Sequence, residues 1–534
     1  MNLTHHTLTR AAAALALGAA LLAQPACTDL ELDPLDTATP GVLFTDAEAY
    51  RSFIARVYAG LAVTGQSGPA GSADISSLDE GFSNYLRQYW QLQELPTDEA
   101  VIAWGDAGLP ELIQGTWGSD NQFVRAMYYR IYFQVSLANE FLRESTPELL
   151  AGRGIPEAAR AEIATYRAEA RFLRALSLHH ALDFYGSAPL YTEAQAVGGN
   201  PPEQATAREL FDFVEAELAA IADELPEAGA AEYGRADRAA AWMLQARLFL
   251  NAETYVGDDR YADAAAAAER VIASGAYTLD EDYSLLFGAD NHTATGVVFA
   301  IPFDGDNTQT WGGTTYLVHA PIGGSMDPEA YGVNSGWGGL RAKPELVNLF
   351  GDPAATSDER AIFYTDGQSL AIDAIGEFTD GYAAPKWTNL RADGSIGADL
   401  THPDTDYPLF RLAEAHLTYA ECAARGASGT DRGRAVGYVN ALRDRAFDGS
   451  VAAQIADADL TTDFVLDERA RELYWEGVRR TDLRRFGRFT GADYVWAWKG
   501  GTQDGQAVPA FRGVYPIPAS EIIANPNLSQ NDGY

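Results

Sequence analysis

Tyr515-Pro516-Ile517-Pro518-Ala519-Ser520-Glu521-Ile522-Ile523-Ala524-Asn525-Pro526-Asn527-Leu528-Ser529-Gln530-Asn531-Asp532-Gly533-Tyr534 closes the chain. Pro516, Pro518 and Pro526, interleaved with Asn525, Asn527 and Asn531, argue against a helix or an interior strand. Ile517, Ile522, Ile523 and Leu528 nevertheless supply apolar anchors. A segment both irregular and apolar is expected to be pinned onto a folded body and not left to fray. The tail therefore implies a body, and the rest of the sequence says what kind.

That body reads as helices, then a long irregular middle, then helices again. Helical periodicity runs through residues 45–62, 121–145, 157–184, 206–224, 236–253 and 260–274. Thr206 with Glu209 three residues on has the spacing of a capping box. Gly186 and Gly275 stand where helix-terminating glycines belong. Ala239–Leu250 and Tyr261–Ile272 look like tetratricopeptide helices, their alanines allowing close approach of stacked pairs. No strict period survives between such pairs, which argues against a pure solenoid. Residues 276–404 are rich in Gly, Asp, Asn, Thr and Trp, with turn dipeptides such as Gly312-Gly313 and Gly338-Gly339. Only short strand-like runs such as 296–301 appear there, and loops of that length inside a compact domain usually carry function. Helices are expected again at 407–425, 432–446 and 463–487. In the last, acids precede Arg479, Arg480, Arg484 and Arg485, an order that complements the helix dipole. The fold class expected is mostly α: tetratricopeptide-like helical pairs with a loop-rich insertion carrying a few short strands.

The amino terminus has the layout of an export signal. Arg10 is followed by an unbroken Ala/Leu/Gly run over 11–23 and then Gln24-Pro25-Ala26-Cys27. The run is too short to span a bilayer. Ala26-Cys27 resembles the end of a lipobox, although Gln24 stands where Leu is usual. Residues 1–26 are thus expected to be a signal peptide, Cys27 an acylated anchor, and 27–40 a tether. Cys422 sits in a helical pattern as a small buried hydrophobe and needs no partner. Nothing after Cys27 has eighteen consecutive apolar residues.

The net charge of −37 argues against nucleic acid or another polyanion as ligand. Lys343, Lys386 and Lys499 are the only lysines. An acidic, lysine-poor surface suits a salt-tolerant source, because screening weakens the self-repulsion.

Four segments, in register, resemble the SusD/RagB family of surface nutrient-binding lipoproteins. They are Ala168–Ala175 with Tyr185-Gly186-Ser187-Ala188-Pro189-Leu190, the run Arg411–Glu421, the run Glu468–Arg485, and the Pro516–Tyr534 tail. The resemblance covers nearly all of the expected mature chain. It implies one helical body of four tetratricopeptide-like pairs cradling an irregular face, divided as a 41–275 helical region, a 276–404 insertion and a 405–534 carboxy-terminal region. It further implies an outer-membrane, surface-exposed location and a SusC-like TonB-dependent transporter as partner. Oligosaccharide is the ligand implied; a RagB-like peptide-binding role is the alternative within the family.

Catalysis finds no support in the residues. Glu468, Glu472 and Glu476 share a helix face, but Arg471 and Arg480 at helical spacing would hold them ionised, wrong for a general acid. The histidines form no metal or nucleophile motif, and His416 reads as a core residue. Asp304-Gly305-Asp306-Asn307-Thr308 fails the calcium-loop rule at Gln309 and Thr315. No cofactor or metal is therefore expected. Binding is favoured by loop aromatics, since a sugar presents a C–H face to a flat ring and a rim of hydroxyls to polar side chains. Trp104 with Asp106, Trp311 with Tyr316, and Trp337 with Asn334 are the candidate ligand-binding residues, each tryptophan flanked by glycine. The resemblance supports these regions, in the loop after the first helix and the mid-chain insertion. Tyr494, Trp496 and Trp498 alternate along an extended segment and are assigned to packing. A helical scaffold binding only proteins is the rival from another class, and would bury Trp104, Trp311 and Trp337; a surface hydrolase would need paired carboxylates in an open cleft.

Overall fold

A computed structural model describes residues 43–534, apart from 66, 70–72, 77 and 196–197. The expected signal peptide and Cys27 lie outside the described residues. Asp46–Tyr534 forms one compact body.

The body is helical, as expected. Its main elements are α1 (Ala47–Ala62), α2 (Tyr85–Glu94), α3 (Gln122–Glu144), α4 (Glu157–Tyr185), α5 (Ala207–Ile221), α6 (Arg238–Leu250) and α7 (Tyr261–Ala273). After the irregular middle, which holds α8 (Gly313–His319), come α9 (Leu412–Ala424), α10 (Arg432–Ala446), α11 (Thr462–Leu473), α12 (Arg479–Arg485) and the short α13 (Ala519–Ala524). The alanine-rich α6 and α7 pack against each other, and α7 against α9, through Ala264, Ala265, Ala267 and Ala268, all buried. Thr206 and Glu209 form the reciprocal capping box. Gly186 and Gly275 both take positive φ just past helix ends.

Among the described residues, six short strands pair in three antiparallel ribbons. They are β1 (Ala100–Ile102), β2 (Ala188–Pro189), β3 (Gln204–Ala205), β4 (Val297–Ile301), β5 (Leu340–Ala342) and β6 (Tyr407–Arg411). β1 pairs with β5, β2 with β3 and β4 with β6. Two ribbons therefore stitch the 276–404 segment to the helices before and after it.

Three expectations need correction, and one helix was not foreseen. The helix read at 407–425 begins as β6, because Tyr407–Arg411 with Pro408 ladders onto β4 before α9 starts. The helix read at 463–487 is two helices. Trp475 at φ 61° and Gly477 at φ 75° break it, and the freed amides are taken by buried carboxylates: Trp475 N–H donates to Glu99 (3.1 Å), Gly477 N–H to Glu94 (2.7 Å). The arginines of α12 consequently serve buried ion pairs, with Arg480 on Asp183 (3.2 Å) and not on Glu476. The tail does contain one short helix, α13, fitted between Pro518 and Asn525, and Ile523 is 85% exposed while Ile517 and Leu528 are buried. Last, α2 went unread: all ten of its residues are buried, including Gln88, Gln91 and Gln93, so it has no polar face.

The tail is pinned largely by amides. Gln530 pairs both ways with Ile517 backbone (2.8 and 2.7 Å), and Asn531 donates to Tyr185 and Tyr515 carbonyls (2.8 and 2.7 Å). Asn525 and Asn527 donate to Pro202 and Pro201, both at 2.9 Å. Trp117 donates to the Tyr534 hydroxyl at 2.8 Å, tying the last residue to the body.

Candidate functional site: a tryptophan platform

The β1–β5 ribbon delivers two of the candidate residues to one place. Trp104 follows β1 and Trp337 precedes β5; Ile102 faces Leu340 across the pair and Ala103 N–H donates to Gly339 at 2.9 Å. Trp104 then donates its indole N–H to the Trp337 carbonyl (3.2 Å), with ring centroids 6.2 Å apart and planes 45° apart. Gly339 is required there, because a Cβ would lie 2.7–2.9 Å from three atoms of the Trp104 indole.

Trp311 joins from the insertion, 6.2 Å from Trp337 and tilted 57° to it. All three indoles are part-exposed, so together they form one curved aromatic surface. Each has a backing. Trp337 stacks on His319 (4.9 Å, 19°), whose ring nitrogens meet the Ser335 and Thr401 carbonyls at 2.7 and 2.9 Å. Trp311 leans on His402 at 5.0 Å. Trp104 heads an edge-to-face column running inward through Tyr316 (5.9 Å), Trp90 (5.6 Å) and Trp475 (5.6 Å).

Tyr316 is thereby corrected from ligand contact to support: it is fully buried on α8, its hydroxyl accepting from Gln91 at 3.4 Å. Asp106 is exposed in the turn beyond Trp104. Asn334 is exposed beside Trp337 and donates to the Thr401 hydroxyl at 2.6 Å. The protein-only scaffold reading required all three tryptophans to be buried, and they are not.

Arg87, unread in the sequence, lies beneath the platform. Its guanidinium sits 4.5 Å from the Tyr316 ring and 5.7 Å from Trp104, and donates to the Trp311 and Gly81 carbonyls, both at 3.1 Å. Burial lowers its pKa, opposed by Tyr316, Asp106 and Asp79. Asn84 does two jobs at the same corner, capping α2 through Arg87 N–H (3.0 Å) and accepting from Gly313 N–H (3.1 Å) at the start of α8. Gly312 must lack a side chain, since a Cβ would fall 2.1 Å from that of Asn84.

The carboxylates that could have suggested hydrolysis are structural. Glu468 meets Arg360, Arg443 and Arg471 at 2.9, 2.9 and 2.8 Å, and Glu472 meets Arg360, Arg411 and Arg445 at 3.3, 3.0 and 2.5 Å. Burial alone would raise the Glu468 pKa, but Arg360, Arg471 and Arg443 hold it down at about 2. Glu476 pairs with Arg411 (2.6 Å) and Lys386 (2.8 Å). Glu468 and Glu472 are held ionised by their arginines and enclosed, which disqualifies them as general acids. The Asp304 carboxylate is spent on its own turn, accepting from Asp306 and Asn307 amides at 2.8 and 3.1 Å. Trp496 is buried, Tyr494 donates to Asp98 (2.6 Å) and Trp498 to the Ile372 carbonyl (2.9 Å), so this trio packs.

A helical body that presents part-exposed indoles on its irregular face has the build of a binding protein. The model of the SusD family matches residues 351–534. The starch-binding protein SusD of Bacteroides thetaiotaomicron is 36% identical over 95% of this chain and 95% of its own length. A SusD-like protein, P25, of Formosa agariphila is 24% identical over 68% of this chain and 72% of its own. Among solved structures, a SusD superfamily protein of Bacteroides thetaiotaomicron superposes with TM-score 0.70 at 20% identity, covering 91% of this chain and 99% of that one. Surface glycan-binding protein A of the same species, in complex with laminarihexaose, gives TM-score 0.69 at 19% identity, covering 91% and 100%. The chain belongs to the SusD family.

Proposed function

We propose that this protein captures a neutral oligosaccharide on the Trp104–Trp311–Trp337 surface and does no chemistry on it. The observation that carries this reading is the meeting of three part-exposed indoles, from separate stretches of sequence, on one curved surface. Planes tilted by 45° and 57° follow a curved chain better than a flat one. That curvature favours an α-glucan, and the starch-binding name of the 36% identical relative points the same way. Asp106 and Asn334 are the exposed polar groups positioned to meet hydroxyls at the rim, with Arg87 supporting the indoles from beneath. Capture takes place at the outer surface of the outer membrane, with Cys27 acylated and a TonB-dependent transporter receiving the glycan. No helix among the described residues is long and apolar enough to cross a membrane, which accords with anchoring through a lipid.

Isothermal titration against neutral, acidic and amino-sugar oligosaccharides and against peptides tests the reading. Maltoheptaose should bind, and Trp104→Ala, Trp311→Ala and Trp337→Ala should each weaken it by about tenfold or more. A signal from peptides alone would replace the glycan reading with peptide capture. Cys27→Ala should release the protein from the membrane fraction.

A further inference from the structure

A trough that shares no lining residue with the tryptophan platform runs along α3. Tyr128, Tyr129, Tyr132, Tyr191, Pro201 and Pro202 surround a hollow of about 480 Å³. A second hollow of about 560 Å³ shares Tyr191, Pro201 and Pro202 with it and continues to Arg143. From Tyr128 to Arg143 the helix rises about 22 Å at 1.5 Å per residue. Glu521, on α13, stands in the wall of the first hollow.

We propose that this trough docks an extended, proline-rich segment of a partner protein, with a basic side chain of that segment lodged against Glu521. Aromatic rings alternating with prolines make the shallow slots that a polyproline helix fills. Tyr132 and Tyr191 lie nearly parallel, 20° apart at 6.1 Å.

The protons of the tyrosine hydroxyls in the trough are committed within the protein. Tyr132 donates to the Pro189 carbonyl (2.9 Å), Tyr191 pairs with Ser136 (2.8 Å) and Tyr129 with Ser520 (3.0 Å). Strand addition is also blocked: β2, which borders the trough, contributes Pro189, a residue with no N–H to offer. A polyproline helix needs neither, since its backbone stays solvated.

Charge sets the polarity of the partner. Glu521 enters no ion pair among the described residues and meets the Tyr129 hydroxyl, and a carboxylate lined by tyrosines suits a guanidinium.

Fluorescence anisotropy with a labelled proline-rich peptide of about ten residues ending in arginine tests the proposal. The wild-type protein should bind it. Tyr129→Ala and Glu521→Gln, both at part-exposed positions, should each weaken binding by about tenfold, checked for retained fold by circular dichroism. A glutamine-ended peptide should bind more weakly and lose its dependence on Glu521, and Trp337→Ala should leave peptide binding unchanged. No binding by the wild type, or binding indifferent to Tyr129→Ala, overturns the proposal. So does an oligosaccharide signal lost in Tyr129→Ala, which would make the trough a glycan subsite.

Discussion

Gly339 decides the platform more economically than any tryptophan. It lets the Trp104 ring lie across the β5 end of the ribbon, at a distance no Cβ tolerates. Gly339→Ala should therefore push Trp104 off the surface while leaving every indole in the chain. The expected outcome is a loss of oligosaccharide affinity of about tenfold, with an overpacking cost of about 1–3 kcal/mol, read by titration and thermal unfolding. At this scale the site was half legible. Trp104, Trp311 and Trp337 announced themselves as aromatics among glycines in loops, and all three reach one surface. Tyr316 looked the same in the sequence yet is buried, because Gly312-Gly313 opens a helix and not a loop. Arg87, His319 and His402 gave no signal: each matters through what lies over it, and contacts between residues that are not neighbours in sequence leave no local pattern.

Among elements, the break between α11 and α12 is the most consequential feature that periodicity missed. A continuous amphipathic pattern hides a chain break when the freed amides find buried acceptors, here Glu94 and Glu99 at the end of α2 and the start of β1. Burial pushes the Glu94 carboxyl up to about 7 and raises Glu99 as well, with the neighbouring Glu94 charge adding to it. One oxygen of Glu94 accepts both Gly477 (2.7 Å) and Val478 (3.2 Å) amides. Glu94→Gln keeps that acceptor and removes the ionisation, so it should match or exceed wild-type stability above pH 7. Glu94→Ala strands two buried donors and should cost about 1–3 kcal/mol each at most. Chemical denaturation of the two variants at pH 8 separates them; equal losses in both would show that the charge, not the acceptor, holds the break. β6 and α2 went unread for related reasons, one pairing with a distant strand and the other buried on every side.

For the whole molecule, the three lysines are the clearest record of how its charge is managed. Lys343 donates to the Thr97 carbonyl (2.7 Å), Lys499 to Tyr494 (2.6 Å), and Lys386 to the Tyr474 carbonyl (2.6 Å) and Glu476 (2.8 Å); all three are buried. The surface thus carries no lysine among its described residues, and arginine alone balances the acids there. Acid should be the weak side of this protein. Asp183 and Asp482 are held at about 2 by Arg480 with Arg484, and by Arg469 with Arg485, against the opposing effect of burial. Their folded values lie below the unfolded ones near 4, so the stability they lend is present above pH 4 and lost as pH falls toward 2. His179 and His416 are pulled down to about 4 by burial, and both must charge on unfolding, so their contribution fades earlier, from pH 6.5 to 4. Glu94, raised to about 7, works the other way between pH 4.5 and 7. The urea midpoint should accordingly fall between pH 6.5 and 3, most steeply below 4; a midpoint flat across that range would contradict the ion-pair account. The central claim, capture of a curved glucan on the tryptophan surface, is tested most directly by titrating maltoheptaose into the wild-type protein and Trp337→Ala. Saturable heat in the first and binding about tenfold weaker or more in the second is the predicted result; equal affinities in both, or no heat in either, would contradict it.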